Sequence, residues 1–272
     1  MAATGINSKD RLVKATFAKL LETVLLWARH LASLALRPLG LELRRSGMRH
    51  FAELTAGERA LMNKYRSYTM TPEIRQWTLL KAIEYADRNE LVGDVVECGV
   101  WRGGNVMMSK EHRNGSSISR RFWLYDTFAG MTEPTEHDIT RGGKRAMQTF
   151  LERRRTDHTD WAFASLEEVR SNFERFGLLD DSVVFRKGMV EDTLRTEPLP
   201  DRIAVLRLDT DWYESTLVEL QVLYPRVVPG GVLIVDDYGD WLGAKKAVEE
   251  YFDGRPPLLL PVDTGCRMAV KT

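Results

Sequence analysis

Apolar residues recur along the chain with two different periods, and the switch between them divides it. Val13, Phe17, Leu20, Val24, Ala28, Leu31 and Ala35 return every three or four residues, the stripe of an amphipathic helix that Pro38 and Gly40 end. Two further helices are expected at Glu58 to Arg66 and Pro72 to Arg88, with Pro72 at a first helical position and a polar connector, Ser67 to Thr71, between them. From Val92 the texture changes to short β-branched runs alternating with helical patterns, which predicts a parallel sheet covered by helices on both faces. The predicted strands are Val92 to Val100, Phe122 to Thr127, Ser182 to Arg186, Ile203 to Asp209 and Val232 to Asp236. Helices are predicted at Asn105 to Arg113, Ser165 to Phe176, Glu191 to Arg195, Glu214 to Tyr224 and Leu242 to Phe252. Near the end, Leu258 to Val262 and Arg267 to Lys271 flank Asp263-Thr264-Gly265, a turn triplet that joins antiparallel strands.

The expected fold is therefore α/β: a doubly wound sheet of five parallel strands plus a C-terminal antiparallel hairpin, with an N-terminal helical extension. The stretch from Phe128 to Thr159 is polar, contains Gly142-Gly143 and Arg153-Arg154-Arg155, and lacks sustained periodicity. A segment this long inside a compact domain is expected to be a lid. The domain division that follows is 1–68 for the basic arm and its helices, and 69–272 for the sheet domain with its insertion at 128–159.

Composition narrows the partners. The 272 residues suffice for one large α/β domain with an appendage, and 39 basic against 39 acidic side chains remove any global electrostatic reason to expect a nucleic-acid ligand. The first 50 residues carry nine Lys/Arg and three acids, so the basic charge is local. A basic amphipathic helix can lie on an anionic membrane surface, but packing of its stripe on its own domain or on a second subunit is favoured, and a homo-oligomer is expected. The apolar stretch near Leu20 to Leu36 is interrupted by Glu22, Arg29 and His30, short of the roughly 18 to 20 residues that a membrane span needs. No secretory signal pattern is visible, and two cysteines 168 positions apart, Cys98 and Cys266, build neither a disulfide scaffold nor a cysteine zinc site; a cytoplasmic protein is expected. Cys98, inside a strand, reads as a small buried residue rather than a nucleophile.

Candidate chemistry gathers at the strand ends. Val95 to Val100 runs into Trp101-Arg102-Gly103-Gly104, where Gly99 permits a tight turn and Gly103 and Gly104 permit close approach of a ligand and of the next helix. The spacing is not the dinucleotide fingerprint, because Trp101 stands where a second glycine would. Asp126 ends the second strand, the place from which a carboxylate accepts hydrogen bonds from ribose, or else caps a turn. Asp209 and Asp211 close one strand and Asp236 and Asp237 another, so four carboxylates are expected in one small volume, where like charges raise one another's pKa or require a cation. An all-oxygen set suits a hard ion such as Mg²⁺. The alternative is that these acids point apart and two of them cap the helices that follow. His137 and His158 lie in the expected lid, within possible reach of a substrate as acid/base groups.

Val96-Glu97-Cys98-Gly99-Val100-Trp101-Arg102-Gly103-Gly104, Tyr125-Asp126-Thr127-Phe128-Ala129-Gly130, Gly188 with Asp192-Thr193-Leu194, Leu208-Asp209-Thr210-Asp211-Trp212-Tyr213 and Val235-Asp236-Asp237-Tyr238 together resemble the macrocin O-methyltransferase family, in order, from about Thr69 onward. The resemblance implies a class I methyltransferase fold and an S-adenosylmethionine- and Mg²⁺-dependent transfer of methyl to a sugar hydroxyl. It implies that Glu97, Gly99, Gly103 and Asn105 surround the methionine part of the cofactor, Asp126 its ribose, and Met189 with Val190 its adenine edge. Asp209, Asp236 and Asp237 would hold the metal, and Asp211 matches the position proposed as general base. The implied acceptor is a small molecule or glycan with vicinal hydroxyls. A catechol-type acceptor and a non-catalytic cofactor-binding scaffold are the competing expectations, the second opposed by the acidic set, which mere binding does not need.

Overall fold

Parallel strands buried on both faces are expected to be mostly apolar, and the central strands here are, apart from the buried Glu97 and Arg207. The structure, a computed structural model, describes residues 52–113, 115–196 and 198–272. Strands β1 (Asp94–Cys98), β2 (Phe122–Asp126), β3 (Val183–Lys187), β4 (Ile203–Leu208) and β5 (Val227–Val235) run parallel. β6 (Leu260–Pro261) and β7 (Arg267–Val270) complete the sheet in the order β3-β2-β1-β4-β5-β7-β6, with β7 antiparallel to both its neighbours. Sheet composition and the terminal hairpin thus match the sequence-based expectation. Asp263 Oδ1 accepts the backbone N–H groups of Gly265 and Cys266, each at 2.8 Å, and so builds the hairpin turn.

Helices α1 (Ala56–Tyr65), α2 (Glu73–Arg88), α3 (Gly104–His112), α4 (Ala146–Arg153), α5 (Leu166–Arg175), α6 (Val190–Thr196), α7 (Tyr213–Leu223) and α8 (Leu242–Tyr251) make up the remainder. Alternate residues of one strand feed different cores. Val95, Phe122 and Leu124 pack with Leu80, Ile83, Met107 and Phe173 on one face, whereas Val96, Trp123 and Tyr125 pack with Val218, Leu220 and Val248 on the other. Leu54, Met62 and Tyr65 share the first cluster, which ties α1 into the sheet domain. Thr55 and Glu58 form a reciprocal capping box at the start of α1.

Three elements differ from expectation. Pro72 sits at the N-cap of α2 rather than inside its first turn, its carbonyl accepting from Arg75 and Gln76 N–H at 3.0 Å each. β5 begins at Val227, five residues early, because Val227 pairs with Ile203 before an irregularity restores register at Val205 and Val232. Pro229-Gly230-Gly231 reads as a turn but is carried within the strand as that irregularity. The insertion at 128–159 contains α4, and bridges Ile139 to Arg145 and Thr140 to Trp241. The predicted amphipathic helix of the basic arm, Val13 to Ala35, lies outside the described residues. Among the described residues no helix is long and apolar enough to cross a membrane.

Candidate active site

The carboxyl ends of β1, β2, β4 and β5 meet below a cleft of about 300 Å³. Its lining includes Gly99, Asn105, Asp126, Met189, Val190, Asp209, Asp211 and Asp236 from the predicted set, with Thr71, Trp101 and Trp161 added. Glu97, Gly103 and Asp237 are not part of the lining. Glu97 lies beneath it, buried, with Oε1 accepting from Asn105 Nδ2 at 2.9 Å and from Arg207 Nη1 at 2.5 Å.

The glycines serve backbone crossings. A Cβ on Gly99 would stand 2.0 Å from the Asp209 carbonyl oxygen, so this position, at φ +80°, lets β1 and β4 end side by side. A Cβ on Gly103 would meet the Phe173 ring at 2.8 Å and one on Gly104 the Tyr68 carbonyl at 2.5 Å. The closeness these two supply is therefore to α5 and to the chain before α2.

Asp126 uses both oxygens on the backbone: Val100 and Trp101 N–H donate to Oδ2 at 2.8 and 3.1 Å, and Phe128 N–H donates to Oδ1 at 2.7 Å. The side chain closes two loops over the cleft, and burial pushes its pKa up against these three donors. The turn-capping read as the alternative to ribose binding is what the carboxylate does here, and the same side chain lines the cleft.

The four strand-end aspartates do converge, and none caps a helix; Trp212 and Trp241 hold the N-cap positions of α7 and α8. The N–H of Tyr213 is instead satisfied by Asp138 Oδ1 at 2.8 Å, a fully buried insertion residue that pins residues 135–138 to α7. Asp209, Asp236 and Asp237 each offer an oxygen, all within 4.8 Å of one another. In an octahedral ion with bonds of about 2.1 Å, ligand oxygens stand roughly 3 to 4 Å apart, so small side-chain adjustments suffice.

Two cations already stand among these acids, and the strand-end pattern of the sequence marks neither. Arg207, 1% exposed, donates through Nη1 to Asp209 Oδ2 at 2.7 Å and through Nη2 to Asp236 Oδ1 at 2.6 Å. Arg75 donates to Asp236 Oδ2 at 2.6 Å, Asp240 Oδ2 at 2.8 Å and Asp263 Oδ2 at 2.7 Å. A signal for Arg207 does exist, since a charge inside Leu206-Arg207-Leu208 cannot be buried unpaired. Even so the arginines leave Asp211 and Asp237 without an ion pair among the described residues. Burial, then the neighbouring aspartates, drives Asp237 well above the usual carboxylate range; burial pushes Asp211 up to about 6 against donors from Asp237 and Trp241. Asp209 is likewise raised by burial in spite of Arg207. A residual negative charge of this kind fits a dication.

Asp211 has φ +67°, a left-handed conformation sustained by its surroundings, and its N–H donates to Asp237 Oδ2 at 3.3 Å. Beside it Trp161, Trp212 and Trp241 meet edge to face or tilted, with centroids 4.9 to 6.2 Å apart, and Trp161 faces the cleft. His137 contacts Lys246 Nζ at 3.1 Å and the Tyr213 ring, while His158 is bracketed by Asp157 and Asp160. Neither histidine lines the cleft, and Cys98 is buried as a thiol, its pKa raised well above normal by burial.

The model of the family described as macrocin-O-methyltransferase (TylF) matches residues 44–257. The chain belongs to this family. This macrocin-O-methyltransferase family member is 41% identical over 175 residues to the Streptomyces olivaceus enzyme called 8-demethyl-8-(2,3-dimethoxy-alpha-L-rhamnosyl)-tetracenomycin-C 4'-O-methyltransferase, covering 63% of each chain. It is 39% identical over 186 residues to demethyldecarbamoylnovobiocin O-methyltransferase of Streptomyces niveus, covering 68% of each. The solved O-methyltransferase NovP superimposes with a TM-score of 0.65 at 36% identity, over 75% of this chain and 82% of that one. The chain thus spans just under two thirds of the first relative's length and slightly more of the second's.

Proposed function

We propose that the protein is an S-adenosylmethionine- and Mg²⁺-dependent O-methyltransferase that methylates a sugar hydroxyl of a natural product or glycan bearing vicinal hydroxyls. The observation that carries this reading is the gathering of Asp209, Asp236 and Asp237 beside Asp211, which has no ion pair among the described residues, with Asp209, Asp211 and Asp236 on the wall of one cleft. The names of the two relatives, one an O-methyltransferase of a rhamnosyl-bearing tetracenomycin and the other an O-methyltransferase of demethyldecarbamoylnovobiocin, support the acceptor class.

In this mechanism Asp126 and the backbone it organises hold the cofactor's ribose, and Met189 with Val190 flank its adenine. Gly99, Gly103 and Asn105 shape the loop around its methionine part. Glu97 Oε2, buried and without a hydrogen-bond partner among the described residues, suits the cofactor's ammonium group. A sulfonium methyl is already electrophilic, so the chain's task is to place an oxygen in line and take its proton. Asp211 receives that proton at its carboxylate. A dication held by Asp209, Asp236 and Asp237 would supply Lewis acidity toward the vicinal hydroxyls, lowering their pKa. Trp161 and its two neighbours exclude water on the acceptor side.

The catalytic domain is drawn from residue 69 to 272, with α1 packed on it and 128–159 as the lid, in a cytoplasmic homo-oligomer. The test is incubation with S-adenosylmethionine, Mg²⁺ and a panel of glycosides, read as the mass gain of one methyl and located by NMR. Turnover unaffected by EDTA would remove the metal from the scheme; methylation of catechols but no glycoside would remove the acceptor.

A further inference from the structure

Arg207 touches both halves of the site. Its Nη1 donates to Glu97 Oε1 at 2.5 Å as well as to Asp209 Oδ2 at 2.7 Å, and its Nη2 donates to Thr71 Oγ1 at 3.1 Å as well as to Asp236 Oδ1 at 2.6 Å. Each guanidinium nitrogen therefore spans from a residue on the cofactor side to a carboxylate on the metal side. Glu97 spends one oxygen on Asn105 and Arg207 and keeps Oε2 unpartnered among the described residues. The ion pairs of Arg75, the other arginine of the cluster, run to Asp236, Asp240 and Asp263 and not to Glu97.

We propose that Arg207 is a positioning residue that couples the two sites, so that a dication bound by Asp209 and Asp236 tightens binding of the cofactor. The physical reason is the sharing of one rigid fork of donors. With Asp209 and Asp236 engaged by a dication, their pull on the guanidinium weakens and its charge and hydrogen bonds commit to Glu97 and Thr71. Glu97 is then fixed through Oε1, with Oε2 presented to an ammonium group. A lysine in place of Arg207 keeps the charge but offers one nitrogen, which cannot hold both sides in a fixed geometry. Coupling of this kind is reciprocal, so the cofactor tightens the metal by the same factor.

The inference rests on the cofactor and metal assignments proposed above, and the experiment separates the two. S-adenosylhomocysteine is titrated calorimetrically into the full chain in EDTA and in saturating MgCl₂. Wild type is expected to bind about fivefold more tightly with Mg²⁺, at the lower end of measured couplings. R207K, which removes the shared fork, and E97Q, which removes the charge at its cofactor end, should bring the ratio to near unity, whereas R75K should keep it. Circular dichroism checks folding, and E97Q, being isosteric, carries the test if R207K does not fold. Wild-type binding that ignores Mg²⁺, a ratio preserved in E97Q or R207K, or an equal loss in R75K would each overturn the coupling. Failure of wild type to bind S-adenosylhomocysteine in either buffer would overturn the cofactor assignment itself.

Discussion

Replacing Asp211 by asparagine should stabilise the metal-free protein while disabling it. Burial holds the pKa of the Asp211 carboxyl at about 6 in the folded chain, against 3.8 for the free side chain. The folded state therefore binds this proton more tightly than the unfolded state, and stability is lost as pH rises through that window. Two pKa units correspond to about 3 kcal/mol once the group is fully ionised, and to about 1 kcal/mol at pH 4.5. The introduced asparagine would carry no charge toward Asp237 and would retain an oxygen for the Trp241 donor seen in the wild type. Thermal melts in EDTA should place D211N above wild type by roughly 6 to 12 °C at pH 8, given 2 to 4 °C per kcal/mol for a domain of this size, and by about a third of that at pH 4.5. Saturating Mg²⁺ should raise the wild type more than the variant and shrink the gap. A gain of equal size at both pH values would trace to packing instead of charge, and a loss at pH 8 would refute the claim that Asp211 is held in an electrostatically unfavourable place.

Other perturbations follow from the same geometry. Gly99→Ala places a methyl 2.0 Å from the Asp209 carbonyl at a left-handed φ, so it should destabilise the fold by more than about 3 kcal/mol, read by urea denaturation. Asp126→Asn leaves a single oxygen for three backbone donors and should cost about 1 to 3 kcal/mol in stability while weakening S-adenosylhomocysteine binding in calorimetry. Trp161→Ala should raise the acceptor KM about tenfold, a loss near 1.4 kcal/mol, with cofactor affinity unchanged. Trp161→Phe should recover most of it, and steady-state kinetics with a glycoside methylated in the panel distinguish the two.

The fold is legible because its central parallel strands are buried on both faces and so appear as mostly apolar runs, each followed by a turn and a helix. Val96 to Cys98, Trp123 to Tyr125 and Ala204 to Leu206 need no partner to be recognised. What escapes is structure whose cause is distant in sequence. α4 is eight residues long, so its apolar positions Ala146, Met147, Phe150 and Leu151 span barely two turns and mark no sustained stripe. Its segment is fixed instead by Asp138 against Tyr213 and by Ile139 and Thr140 against Trp241 and Leu242, contacts that a periodicity cannot reveal. The start of β5 is hidden in the same way, since Pro229-Gly230-Gly231 is a turn signal that pairing with β4 overrides.

For the site, the acids are legible and their counter-ions are not. Strand-end carboxylates can be read along the chain, but whether a cation lies opposite depends on which strands are neighbours and in what register. Only with β4 beside β1 does Arg207 fall opposite Glu97, and only with β5 on its other side does it reach Asp236. That register changes the expectation that four carboxylates must attract a metal simply because they are four. Arg207 and Arg75 take up Glu97, Asp209, Asp236, Asp240 and Asp263. Neither reaches Asp211 or Asp237. The unbalanced charge is thus placed beside the cleft instead of spread through the core, where a dication and an acceptor hydroxyl can both reach it. A wholly structural network would have had no reason to leave it there.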